Sequence, residues 1–175
     1  MSASNAQIAQ ILAEIGEYLA MQNVPFKPRA YAKAAENVAG WSEELAAIYQ
    51  SGGIGALRDI PGVGAAIAEK IEEILKTGRL KYYQDLKKKT PVDLAALSNI
   101  EGLGPKSIRK FYQKLGVKNL ADLELAAKQG KIRQLPGFGQ KSEEKILKGI
   151  GFAQESGGRF ILGQILPEEI GRAHV

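Results

Sequence analysis

The sequence has no cysteine and a single histidine, His174, next to its C-terminal residue. The first absence excludes disulfides, thiolate zinc sites and cysteine nucleophiles. The second leaves histidine acid–base catalysis or histidine metal ligation resting on one terminal side chain. What remains is lysine, tyrosine and carboxylate chemistry, or binding alone. Although 45% of the residues are hydrophobic, no apolar run approaches the roughly 20 residues of a membrane span, so no membrane partner is expected. The opening MSASNAQIAQ lacks the basic head and apolar stretch of a secretory signal, and the expected compartment is the cytoplasm, with nucleoid association on DNA. Also missing is any alternation of apolar residues long enough for a sheet. The expected fold class is therefore all-α: a helical bundle of two small domains.

Charge is distributed unevenly. The formal net charge of +5 over 175 residues, with a pI near 9.3, points toward a polyanionic partner. Residues 1–80 hold 7 Lys and Arg against 9 Asp and Glu, whereas residues 81–175 hold 17 against 10. The basic character belongs to the second half.

The strongest internal signal is a five-residue element, apolar, any, Gly, apolar, Gly, that opens an amphipathic helix each time. Its copies are Ile60-Pro61-Gly62-Val63-Gly64, Ile100-Glu101-Gly102-Leu103-Gly104 and Leu135-Pro136-Gly137-Phe138-Gly139, spaced by 40 and then 35 residues. The segments between them read as helices. Ile8, Ile11, Leu12, Ile15 and Leu19 line one helical face, which Ser4 or Asn5 can cap. Pro28 suits the first turn of a second helix through Tyr31 and Val38, and Ser42 can cap a third that stops at Gly52-Gly53. Gly78, Gly116 and Gly130 close later helices, and a last one is expected from about 140 to 153. Lys87-Lys88-Lys89-Thr90-Pro91 combines charge with a helix-start signal. The domain boundary is placed there, giving a first domain of 1–88, a second of 89–155 and a tail of 156–175 that reads as the entry to a further domain.

The two glycines of each hairpin permit backbone conformations that a side chain would forbid and let another molecule approach the main chain. Each hairpin ends at a helix N-terminus, where free amides and the helix dipole favour a phosphate. Such contacts read a nucleic-acid backbone without reading bases. Lys106, Arg109 and Lys110 follow the second hairpin, and Lys141 and Lys145 follow the third. The first has Ala65 and Ala66 instead, with Lys70 one turn later. Non-sequence-specific DNA binding through Gly62, Gly64, Gly102, Gly104, Gly137, Gly139 and these cations is the leading reading; hairpins that mediate protein contacts are the alternative.

The segment Phe26-Lys27-Pro28-Arg29-Ala30-Tyr31-Ala32-Lys33-Ala34-Ala35, followed by the first hairpin and Ile67-Ala68-Glu69-Lys70-Ile71, resembles the N-terminal lyase domain of family X DNA polymerases. Gly102-Leu103-Gly104-Pro105 is similar to that family's fingers subdomain, and the third hairpin to its bacterial and archaeal branch. The resemblance covers about residues 5–155. It implies DNA repair, with a gapped or nicked DNA partner held at its 5′ phosphate by Lys27 and Tyr31, with Lys33 nearby, and with Phe26 against a template base. It also implies a Schiff-base nucleophile at Lys70 for a deoxyribose-phosphate lyase reaction, although a lysine of the family's phosphate pocket falls on Ala66. A bound Na+ or K+ is implied on the carbonyls of Arg58, Ile60 and Val63, and of Ser98, Ile100 and Leu103. The family's Mg2+ ions sit on palm aspartates. Asp59, Asp85, Asp93 and Asp122 form no paired carboxylate motif, so polymerisation by this segment alone, and Mg2+ binding without a palm, are not expected. A monomer is expected.

Overall fold

A computed structural model describes residues 2–155; the tail of 156–175, with its expected domain entry and His174, lies outside the described residues. Ser4 starts helix α1 (Asn5–Met21). Its Oγ accepts from the Gln7 amide at 3.2 Å, and the Gln7 side chain accepts from the Ser4 amide at 2.9 Å. This reciprocal capping satisfies two otherwise unpaired donors. Ile8, Leu12, Ile15 and Leu19 are buried on one face, as their spacing predicts, with Ile11 half-buried beside them.

Asn5, the other cap candidate, serves a different helix. Its buried side chain accepts from the Leu45 amide at 2.8 Å and donates to the Glu43 carbonyl at 2.9 Å. It thereby fastens the start of α3 (Leu45–Leu57), which has no side-chain cap of its own. Ser42 does not play the capping role its position suggests. Helix α2 (Lys27–Ala39) carries Pro28 in its first turn. It packs on α1 at Gly16, where a Cβ would lie 3.0 Å from the Pro28 carbonyl oxygen. The third helix breaks at Gly53, the expected stop.

Helix α4 (Ala65–Thr77) buries Ile67, Ala68, Ile71 and Ile74 and ends at the left-handed Gly78. After α5 (Lys81–Lys89), Thr90 closes that helix, its amide donating to the Leu86 carbonyl at 3.0 Å. The structure thus reverses the expected role of Thr90-Pro91 as a helix start. The next helix, α6 (Leu94–Leu97), begins later. Residues beyond 88 remain with the first part of the chain because the Tyr18 hydroxyl donates to the buried Val92 carbonyl at 3.1 Å. Two compact units divide between Leu94 and Ala95, where the charge run had suggested a cut at 88.

The second unit contains α7 (Pro105–Leu115), closed by the left-handed Gly116, and α8 (Leu120–Lys128), capped by Asn119, whose Oδ1 accepts from the Asp122 amide at 2.8 Å. A 3-10 turn at Ile132–Gln134 follows, then α9, which covers 140–155. Ile100, Ile108, Phe111, Leu123, Ile132, Ile146 and Ile150 form its core. Each such side chain contributes roughly 1.5–3 kcal/mol by leaving water, most of it offset by the entropy of ordering the chain. Among the described residues there is no strand, and no helix is long and apolar enough to cross a membrane.

Candidate nucleic-acid interface

All three hairpins adopt one turn. The Val63, Leu103 and Phe138 amides donate to the Ile60, Ile100 and Leu135 carbonyls at 3.0, 3.1 and 3.1 Å. The first glycine of each pair, Gly62, Gly102 or Gly137, has φ of 86°, 88° or 87°. That is a type II turn, whose third residue must sit at positive φ. The second glycine has a different reason. Gly64 and Gly104 cap α4 and α7 in extended conformations open to any residue, and a Cβ at Gly64, Gly104 or Gly139 would meet nothing within 4 Å. Neither backbone strain nor internal packing requires glycine at these three helix starts. Their bare main chain leaves room for a molecule outside the protein.

In the second unit, hairpins two and three line one cleft of about 430 Å³. Its walls include Gly102, Ser107 and Lys110 from one hairpin and helix, and Gly137, Ser142 and Lys145 from the other. Phe138, the apolar residue of the third hairpin, joins the two by packing on Phe111 of α7, ring centroids 4.9 Å apart. Lys110 lies 5.9 Å over the same Phe138 ring. Lys106 and Lys141 stand exposed, and Arg109 half-exposed, on the same helices but are not among the cleft's walls.

Ser107 and Ser142 are absent from the sequence-predicted set. The signal for them is there: 102–110 reads GLGPKSIRK and 137–145 reads GFGQKSEEK, so the repeat extends through Lys, Ser and Lys at equal offsets. In the first hairpin the same register gives Ala66, Ile67 and Lys70.

The third hairpin is held from behind. Glu143, 1% exposed, accepts from the Arg133 amide at 3.0 Å and from its Nε and Nη2 at 2.9 and 2.6 Å. These bonds tie the 3-10 turn before the hairpin to the helix after it. Burial pushes the Glu143 carboxyl up, but the hydrogen bonds and charge of Arg133 together hold it below the usual carboxylate range.

The first unit presents a different surface. Its hairpin packs on α2: Asn37 Nδ2 donates to the Pro61 carbonyl at 2.6 Å, and a Cβ on Gly62 would sit 3.1 Å from that nitrogen and 3.4 Å from Lys33 Cγ. Phe26 precedes α2 at φ 66° and ψ −42°, at the centre of a tight turn in which the Lys27 amide donates to the Pro25 carbonyl at 2.7 Å. Such a γ-turn of positive φ is rare and strained for a residue with a side chain. The Phe26 ring is 90% exposed and lines a shallow cleft with Pro28, Arg29, Ala30 and Lys33. Arg29 thereby adds a cation that was not among the predicted site residues. Lys27 is exposed at the same helix start.

Tyr31 differs from its neighbours in being a core residue, 6% exposed, with its phenol pushed up by burial. Lys70 is half-exposed, its Nζ 4.7 Å from the centre of the Tyr82 ring. The Tyr82 phenol is raised chiefly by burial, then by Tyr31, and lowered by Lys70. Lys70 is not on the walls of the Phe26 cleft.

Two helix-hairpin-helix families match the chain: a helix-hairpin-helix domain over residues 3–80 and a SAM-like helix-hairpin-helix tandem over 94–151. The DNA polymerase/3'-5' exonuclease PolX of Bacillus subtilis (strain 168) is 33% identical over 160 residues, which is 91% of this chain and 27% of that protein. This is a helix-hairpin-helix chain related to the family X DNA polymerases. DNA polymerase lambda of Rattus norvegicus is 29% identical over 119 residues, covering 68% of this chain and 19% of the relative. A DNA ligase of Leptospira interrogans is 39% identical over 74 residues, 42% of this chain and 11% of the ligase. The helix-hairpin-helix chain thus spans about a quarter of the length of the PolX relative it matches.

Proposed function

We propose that this chain binds DNA through backbone phosphates, without reading sequence, as the DNA-gripping part of a repair polymerase. The observation that carries this reading is the cleft of the second unit. There the turn glycines Gly102 and Gly137 line the wall with Lys110 and Lys145, and each turn leads into a helix N-terminus at Gly104 or Gly139, where a side chain would meet nothing. Helix starts and lysines together favour phosphate oxygens. The Phe26 cleft adds a preference for gapped or nicked DNA: an exposed aromatic ring can stack on an unpaired base at the break, while Lys27, Arg29 and Lys33 offer charge to the 5′ phosphate. The test is a salt titration on gapped, nicked and intact duplexes of unrelated sequence. Affinity should fall steeply with salt on all three, by roughly 0.9 log units per log unit of salt for each phosphate contacted, and be greatest on the gap. Salt-independent binding would instead favour a protein-docking role for the hairpins.

A deoxyribose-phosphate lyase activity at Lys70 is the second reading, supported by its half-exposed position against the Tyr82 ring. An amine must shed its proton to attack the sugar aldehyde. Borohydride trapping on DNA bearing a 5′-deoxyribose phosphate tests it, with Lys70→Ala abolishing the adduct while binding persists. Na+ or K+ at the hairpins belongs with the DNA-binding reading. The Ile60 and Ile100 carbonyls each accept one amide in the turn, which leaves a lone pair for a cation.

A further inference from the structure

Glu101 occupies the second position of its hairpin, where the other two hairpins have Pro61 and Pro136. Its side chain is 83% exposed, and its Oε1 lies 3.6 Å from Nζ of Lys145, itself 60% exposed. Three further ion pairs join Lys76 to Glu72 and Lys128 to Glu124, each within one helix, and Arg133 to Glu143 in the support of the third hairpin. The Glu101–Lys145 pair alone among them runs from a hairpin to a lysine on the cleft wall, and both partners line the cleft. Packing does not require the glutamate: the position takes proline in the two sister turns, and the side chain is largely in water. A carboxylate carries the same sign and the same acceptor chemistry as a phosphate oxygen.

We infer that Glu101 is a built-in competitor for the DNA phosphate at Lys145, a carboxylate that must be displaced before that lysine can engage DNA. This rests on the phosphate-binding reading above. The arrangement weakens binding and keeps it reversible, since Lys145 gives up one anion to take the other and the glutamate is left beside DNA when the phosphate takes its place. Charges at the edge of an interface act in this way, chiefly on association and its salt dependence.

The test measures affinity of the full chain for one gapped duplex across a salt series, for wild type, Glu101→Gln, Glu101→Pro, Lys145→Gln and the Glu101→Gln/Lys145→Gln pair. Glu101→Gln and Glu101→Pro should each tighten binding by about two- to fivefold at low salt, the range that an exposed ion pair commands, and steepen the salt slope by up to about one unit. The gain of Glu101→Gln should vanish in the Lys145→Gln background, which a general loss of negative charge would not produce. Glu124→Gln, which removes the same charge from an ion pair on α8, controls for that general effect and should change affinity by less than about twofold. Wild type that binds with a salt slope, together with Glu101 variants that bind no tighter, overturns the competitor role and leaves the DNA reading standing. A gain that survives in the Lys145→Gln background also overturns it. Wild type that fails to bind DNA overturns both.

Discussion

Phe26 combines two unfavourable features in one residue, a φ of 66° and an aromatic ring 90% exposed to water. Neither helps the chain fold, so the residue is held there by the turn that opens α2 and is free to serve a partner. Replacing it with glycine relieves the strain and removes the ring together. Phe26→Gly should raise stability by about 1 kcal/mol, visible as a higher Tm. In the same protein, affinity for a gap should drop by roughly tenfold, the lower part of the range measured for base stacking, with intact-duplex binding unchanged. A variant that loses stability would show that the Phe26 ring packs in solution; one that keeps its gap preference would remove Phe26 from the site. Tyr31, five residues on, illustrates the limit of reading side chains from spacing. Both aromatics flank Lys27 in the sequence, yet one ring is core and the other 90% exposed, because the turn at Phe26 rotates it off the helical face.

At the scale of elements, the third hairpin stands on a single buried carboxylate. The folded Glu143 carboxyl is held below its ordinary value of 4.5, so its ionised form stabilises the folded state. That contribution is fully present above the unfolded value and is lost as pH falls through the lower folded value. Thermal melts should therefore show Glu143→Gln clearly less stable than wild type at neutral pH, with the gap between them closing as pH drops below about 4. A constant difference down to the acid transition would mean that the carboxylate's charge is not what ties Arg133. The hairpins and most helix ends were legible in the sequence because glycine marks them: Gly62, Gly102 and Gly137 sit at positive φ, as do Gly78 and Gly116 at helix ends. The start of α3 and the attachment of residues 89–94 to the first unit were not. They depend on Asn5 reaching Leu45 and on Tyr18 reaching Val92, partners 40 and 74 residues apart, and no local pattern encodes such a reach. The Arg133–Glu143 lock was illegible for a related reason: a glutamate on a helix rich in charges of both signs reads as a solvated residue until its burial is known.

Across the whole molecule, charge divides at the same place as the units. Residues 1–94 hold 11 Lys and Arg against 11 Asp and Glu, and residues 95–175 hold 13 against 8, so the net +5 belongs entirely to the second part. Under the proposed function, a neutral first unit with an exposed ring and a basic second unit with a double hairpin would divide the work, the second supplying general attraction to DNA and the first the preference for a break. The salt dependence of intact-duplex binding should then come from the second unit alone. Neutralising Lys106, Lys110, Lys141 and Lys145 together to Gln should flatten the slope of log affinity against log salt by up to about 3.6, at roughly 0.9 for each phosphate no longer neutralised. Neutralising Lys27 and Lys33 should leave that slope in place and reduce only the difference between gapped and intact duplex. Isothermal or fluorescence titrations over a fourfold range of salt, roughly 50 to 200 mM, separate the two. Equal flattening by both sets would mean that the first unit grips duplex as the second does, and that the break preference must come from the Phe26 ring without help from the charges around it.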